Sequence, residues 1–235
     1  GKVQGRKKHF EKIFQKSLRE AAETPPRVTG IIGCGRGVGV THLAVLCANY
    51  LAGARRKRTA LLELGSGGDL KRLGDFCGAD ASGHGDDSAA GHAAFADVRA
   101  DAASFRLCGV TYFCAATAAT LASCMNGPFD EIVVDLGGDF ERGKTDFLRC
   151  GKKMLVGSLS EWRQEEFLRV ISGNRQACRE DWQLLVTFGS AESEREIERQ
   201  FRLELLRVPF WPDAFRITGE MFGFFEILLN QRGRQ

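Results

Sequence analysis

A doubly wound α/β domain with a mainly parallel sheet is the fold class this sequence predicts, on three observations. Seven apolar strand-like runs alternate with helix-like runs from residue 27 onward, the order produced by a parallel sheet covered by helices on both faces. A chain of 235 residues suits one such domain with appendages, because α/β sheets grow past the usual domain size without splitting. The composition, 43% hydrophobic and 27% charged, is that of an ordinary globular chain and argues against a mainly disordered one.

Residues 1–26 come first and read as a basic amphipathic helix with a linker. Phe10, Ile13, Phe14 and Leu18 recur at helical spacing among Lys7, Lys8, Lys12, Lys16 and Arg19. Residues 1–27 carry eight Lys/Arg against three Glu, so the chain's net +3 divides into +5 there and −2 over the remainder. Such a helix either docks its apolar stripe on the domain or reaches an acidic partner, a membrane surface or nucleic acid. The "TPPR" of residues 24–27 stops it, since proline cannot continue a helix.

The α/β domain then occupies residues 27–235. Strands are expected at "VTGIIG", "TALLEL", "CGVTYFC", "EIVVDLG", "KMLVGS", "QLLVTF" and "LLRVPF", with helices over 42–51, 116–125, 161–172, 192–203 and 217–229. The basic turn of residues 55–58 reads as solvated, or as an addition to an acidic-surface contact. Residues 78–97 are rich in Gly, Ala, Ser and Asp and read as a flexible surface loop, in which His84, Asp86, Asp87 and His92 are too loosely spaced to define a metal set. In the aromatic-rich end, Phe222, Phe225 and Leu229 fall at helical spacing and are expected in the core, with some of this helix available as a partner face.

Eight cysteines contain no C-x-x-C pair and no metal-like pairing with the four histidines, so they read as small reduced core residues of a cytoplasmic protein. No apolar run approaches the length of a membrane span. The chain opens at Gly1 rather than at a methionine, which leaves an upstream segment open.

The chemistry concentrates in "GIIGCGRGVGVTHLAVLCANYLA", where Gly33, Gly35, Gly37 and Gly39 alternate between an apolar run and a helix-like run. A strand feeding a glycine-rich loop and then a helix presents backbone N–H groups and the positive helix end to a phosphate. The dinucleotide pattern G-x-G-x-x-G is not met, because its last position is Val38 from Gly33 and Val40 from Gly35. The pattern G-x-x-x-x-G-K-[ST] fits better, with Gly39 and Thr41 in place, but Cys34 replaces the first glycine and Val40 the lysine.

At this point the chain resembles the ParA/MinD family of P-loop ATPases, whose deviant loop reads roughly K-G-G-x-G-K-[ST]. In "GRGVGVTH", residues 35–42, Gly37, Val38, Gly39 and Thr41 match. Gly35 stands where the family's partner-reaching lysine belongs and Val40 where the phosphate lysine belongs; Arg36 lies one position away as a displaced cation. "RRKRTALLELGSGGDLKRLG" is similar to the family's second strand and acidic loop, with Glu63 at the first acidic position, Gly65 at the second and Ser66 for the proline. "FDEIVVDLGGDF" is similar to its Walker B strand, ending at Asp135, and "LLRVPFWPDAFRI" to its late segment near adenine, with Pro209. "QLLVTFG" lacks the adenine-reading Asn of many relatives. The similarity runs from about residue 27 to 229, and no single motif is intact.

The resemblance implies a P-loop NTPase-like fold and a degenerate member: a nucleotide-binding protein or pseudo-ATPase that serves positioning or assembly. Glu63 and Asp135 are the implied catalytic acids. ATP would be held by Gly35, Arg36, Gly37, Val38, Gly39, Val40, Thr41, His42 and Pro209, and Mg²⁺ by Thr41 and Asp135. A homodimer, protein partners of a larger assembly and a cytoplasmic location, peripheral at a membrane or on nucleic acid through the basic segment, are implied too. Two alternatives stand beside it: an active ATPase using Arg36, and a nucleotide-free interaction scaffold. Read singly, Asp135 caps the sheet edge, Thr41 caps a helix, Glu63 is a solvated acid, His42 a polar helix residue and Arg36 an exposed cation. The shared register of Thr41, Asp135 and Glu63 with one scheme favours function for those three and not for Arg36 and His42.

Overall fold

The architecture is that of a computed structural model, which describes residues 25–77 and 102–230. The basic helix expected in residues 1–26 and the loop expected over 78–97 lie outside the described residues, apart from Pro25 and Pro26.

Eight strands form one sheet: β1 (Arg27–Gly33), β2 (Thr59–Glu63), β3 (Ser104–Leu107), β4 (Val110–Phe113), β5 (Glu131–Asp135), β6 (Lys152–Ser158), β7 (Trp182–Thr187) and β8 (Leu205–Arg207), in the order β3-β4-β2-β5-β1-β6-β7-β8. Every pairing is parallel except β3 with β4. β3 went unforeseen, because its four residues "SFRL" are too few to show an alternation.

Strand side chains point alternately to two faces, and the apolar core divides accordingly. Ile32, Leu62, Val134, Leu155 and Val186 face one core, while Ile31, Leu61, Val133, Met154 and Leu185, their neighbours in sequence, face the other. All ten are buried, which is why the strands read as unbroken apolar runs.

The second core is covered by α1 (Val40–Gly53) and α8 (Gly219–Asn230), through Leu43, Cys47, Tyr50, Phe225 and Leu228. The first is covered by α4 (Phe140–Arg149), α5 (Gln164–Gly173), α6 (Arg175–Glu180) and α7 (Ala191–Phe201), through Phe140, Phe147, Phe167, Cys178 and Phe201. Two short helices complete the set, α2 (Asp69–Phe76) after β2 and α3 (Ala118–Met125) after β4. The five expected helices are present with ends shifted by up to three residues. The middle one starts at Gln164 rather than 161, and α3 starts after Thr117, whose hydroxyl accepts from the Thr120 N–H and caps it. The helices α2, α4 and α6 were not anticipated, because all three are rich in charge and α2 and α6 are also short.

Several single-residue expectations change. Phe225 is fully buried as expected, but Phe222, one turn earlier, is 43% exposed and touches Tyr50 only at its rim. Six cysteines are core residues, whereas Cys77 and Cys108 are exposed, each following the end of an element that no layer among the described residues covers there. In the basic turn Arg55 pairs with Glu226, and Arg58 clamps Asp130 with two nitrogens, joining the entrances of β2 and β5. No helix among the described residues is long and apolar enough to cross a membrane.

Candidate functional site

The chain leaves β1 for β2 on one side and later returns across β1, from β5 to β6 on the other. Where connections part in this way the carboxyl ends of the strands leave a crevice, the usual ligand position in an open α/β sheet. Here it is a cleft of about 620 Å³, lined by the glycine loop, the β2–α2 turn and the β5–α4 turn.

The loop is shaped by glycine at two positions. Gly37 and Gly39 have φ of 74° and 94°, a region other residues avoid, and Gly39 is also the N-cap of α1. Gly39 brings no side-chain cap, so the N–H groups of the first turn of α1 keep their capacity for an anion. Thr41 is therefore not the helix cap; it lies in the first turn and its hydroxyl leans on the Asp135 carboxylate.

Glu63 and Asp135 are register partners on β2 and β5 and lie side by side at the carboxyl edge. Each is only 2% exposed, so neither is a solvated loop acid. Glu63 Oε1 accepts the Asp69 N–H at 2.7 Å and Asp135 Oδ1 accepts the Gly137 N–H at 2.9 Å, but Glu63 Oε2 and Asp135 Oδ2 have no full hydrogen-bond partner among the described residues. Burial raises both pKa values. For Glu63 the Asp69 N–H opposes the rise and the Asp135 charge adds to it; for Asp135 the Thr41 hydroxyl and Gly137 N–H oppose it. Two buried, half-satisfied carboxylates beside a hydroxyl are the donor set a hard cation such as Mg²⁺ takes, so the residues present fit that ion.

Val40 takes another place. Its side chain is 5% exposed and lies with Val38 in the core beneath the loop, both within 2.8 Å of where a Cβ on Gly33 would stand. Gly35 gives room to Glu166, whose carboxylate oxygen would sit 1.8 Å from a Cβ there. The Arg163 guanidinium donates to the Arg36 carbonyl, so the start of α5 holds the loop from its outer side.

The cleft brings together Gly35, Arg36, Gly37, Gly39, Val40, Thr41, His42, Glu63 and Asp135. Val38 points its side chain away into the core, and Pro209, exposed after β8, does not line the cleft. His42 is engaged elsewhere, its Nε2 lying 2.6 Å from the Trp211 carbonyl oxygen. Sequence reading missed Asp69, Arg72, Gly138, Asp139, Arg142 and Asp146, which also line the cleft. A signal was available: the triplet G-G-D follows both β2 and β5, and each copy starts a helix at the cleft. The lining carries five acids, Glu63, Asp69, Asp135, Asp139 and Asp146, against three arginines, and Arg72 is already paired with Asp69. No group of three or more His, Cys, Asp or Glu poised for a metal exists among the described residues.

No family model and no curated protein matches the sequence. Solved structures do match the fold. MinD in the MinC:MinD cell division complex of Aquifex aeolicus is 18% identical, with a TM-score of 0.55 over 86% of each chain. A putative plasmid partition protein of Borrelia burgdorferi bound to AMPPNP is 13% identical, with a TM-score of 0.55 over 88% of this chain and 97% of that one. A ParA family ATPase of Chlorobium tepidum is 16% identical, with a TM-score of 0.52 over 80% and 87%. At these identities the likeness establishes the fold: an eight-stranded, mostly parallel sheet of the kind found in ParA/MinD ATPases.

Proposed function

We propose that this chain is a ParA/MinD-like positioning or assembly factor that binds a nucleotide in the cleft above β1 and turns it over little or not at all. The observation that carries the reading is Val40, an apolar side chain buried beneath the loop where a phosphate loop carries its lysine. Phosphoryl transfer asks a protein mainly to position groups and neutralise charge, and loss of that lysine removes a principal cation. Binding is less affected, because the glycine backbone and the first turn of α1 still offer N–H groups. Thr41 and Asp135 are the residues that would hold Mg²⁺, which when bound supplies the missing positive charge. Glu63, beside them, holds the α2 turn against the cleft through the Asp69 N–H. The Borrelia burgdorferi relative bound to AMPPNP and the Aquifex aeolicus MinD in complex with MinC support, by fold, a nucleotide-binding role exercised with protein partners; a homodimer belongs to the same proposal.

Calorimetric titration of the protein with ATP and Mg²⁺ tests the reading. Binding with turnover at background level is the expected result. Absence of heat at near-millimolar nucleotide overturns it and leaves an interaction scaffold. Turnover abolished by Arg36→Ala would instead support hydrolysis with Arg36 as the displaced cation, a reading favoured by the exposure of Arg36 at the cleft. Gain of hydrolysis in Val40→Lys would mark the loop as a dormant catalytic site. Co-sedimentation with anionic liposomes and with DNA, with and without residues 1–26, tests recruitment by the basic segment; partitioning that is unchanged by the deletion removes that role.

A further inference from the structure

Two exposed thiols lie at the same end of adjoining elements on the outer edge of the sheet. Cys77 is the residue that ends α2, its N–H donating to the Leu73 carbonyl at 3.0 Å. Cys108 begins the two-residue turn between β3 and β4, with φ of 50° there and 78° at Gly109. All eight cysteines are free, and these two are exposed where the other six are buried.

Helix α2 and strand β3 are in direct contact upstream of these residues. A Cβ on Gly74 would lie 3.0 Å from the Phe105 ring, and Phe105 in turn stacks on Tyr112 at 4.8 Å between ring centroids. Cys77 follows Gly74 by about 4.5 Å of helix and Cys108 follows Phe105 by about 10 Å of strand and turn. The two elements also run the same way. α2 starts at the cleft with Asp69 and leads away from the carboxyl edge, and β3 leads away too, since it is antiparallel to β4 in a sheet otherwise parallel. Both therefore deliver their cysteines to the opposite edge. Burial raises the pKa of Cys108, and negative charge at Cys77 and at Asp213 adds to the rise.

We propose that Cys77 and Cys108 form a disulfide on exposure to a hydroperoxide, clasping α2 to the edge hairpin. One thiolate of the pair attacks a peroxide oxygen; the S–O bond forms as the O–O bond breaks, and the leaving oxygen departs as water or alcohol after taking a proton. The second thiolate attacks the sulfenic sulfur; the S–S bond forms as the S–O bond breaks, and hydroxide leaves as water with the second thiol's proton. Two thiols are oxidised and one peroxide is reduced, so no further co-reactant is required. The bond would fix the far end of the helix whose first N–H, at Asp69, holds Glu63 in the cleft.

The test is treatment of the native protein with a slight molar excess of hydrogen peroxide, then thiol counting under denaturing conditions and peptide mass spectrometry without reduction. The expected result is loss of two titratable thiols and one linked pair of peptides containing Cys77 and Cys108, reversed by dithiothreitol. Cys77→Ser and Cys108→Ser should each abolish the linked pair while circular dichroism stays native. Separate oxidation of the two thiols to sulfinic acid, linkage of either to another cysteine or to a second copy of the chain, or no oxidation at these positions overturns the proposal.

Discussion

Replacing Gly138 by alanine drives a methyl group into the backbone of the glycine loop. The new Cβ would lie 2.4 Å from the Gly35 carbonyl oxygen and 2.8 Å from Arg36 Cα. Against a comfortable separation of about 3.5 Å the overlap is roughly 1 Å. Side chains often swing aside from such an overlap, but these are backbone atoms held from behind. Glu166 fills the space beside Gly35, and Arg163 holds the Arg36 carbonyl, so the loop retreats only by breaking those contacts. Overpacking of this kind costs about 1–3 kcal/mol. At about 2–4 °C per kcal/mol for a domain of this size, a cost near 2 kcal/mol lowers Tm by about 4–8 °C. Gly173→Ala is the matched control: Gly173 ends α5 and has nothing within 4 Å of a Cβ, so Tm should hold or rise slightly. Differential scanning fluorimetry compares the two variants, and amide exchange over residues 35–41 should quicken in Gly138→Ala alone. Equal Tm values, or unchanged loop exchange, would refute the reasoning that the β5–α4 turn and α5 grip the loop from two sides.

Further outcomes follow from burial. Stability should fall as pH rises above about 9, because burial lifts the thiols of Cys114 and Cys150 to about 11 and of Cys47, Cys124 and Cys178 to about 12; the folded chain keeps protons that the unfolded chain releases. Lys152 acts with the opposite sign: burial lowers its pKa from 10.5 to about 8, so between those values the unfolded chain binds a proton the folded one lacks, and stability gains with pH. Urea unfolding from pH 7 to 10.5 should accordingly show a steeper decline in Lys152→Met than in the parent; parallel curves would contradict the assignment. Phe225→Ala removes a fully buried ring stacked on Tyr50 at 4.6 Å and should cost about 3–5 kcal/mol by chemical denaturation. Phe222→Ala, on an exposed ring of the same helix, should cost less than about 1 kcal/mol, and equal losses would place Phe222 in the core after all.

Much of the fold was legible because buried parallel strands must be apolar on both faces. "GIIG", "ALLE" and "EIVVD" declare themselves without any knowledge of their neighbours. The loop was legible too, since alternating glycines between a strand and a helix mark a turn that needs positive φ and close backbone approach, which other residues resist. Strand β3 and helices α2 and α6 escaped because they are short and a period needs several turns or pleats to be seen, and α4, as long as α5, escaped because charged residues dominate it. The cleft lining escaped in part for a different reason. Asp69, Asp139 and Asp146 are ordinary helix acids in sequence, and only the placing of β2 and β5 beside β1 brings their turns to the loop.

By itself, then, the sequence determined most of the strands and helices, where the glycine loop lies and that valine stands at position 40 within it, since these depend on local patterns of polarity, glycine and charge. Tertiary structure decided where the side chains around that loop go. Val40 is turned beneath the loop and Glu166 fills the side of Gly35, while Glu63 and Asp135 become buried neighbours and Cys77 and Cys108 are delivered to one exposed edge. Such facts depend on strand order and on which residues share a face, and those are set by packing between segments far apart in the chain.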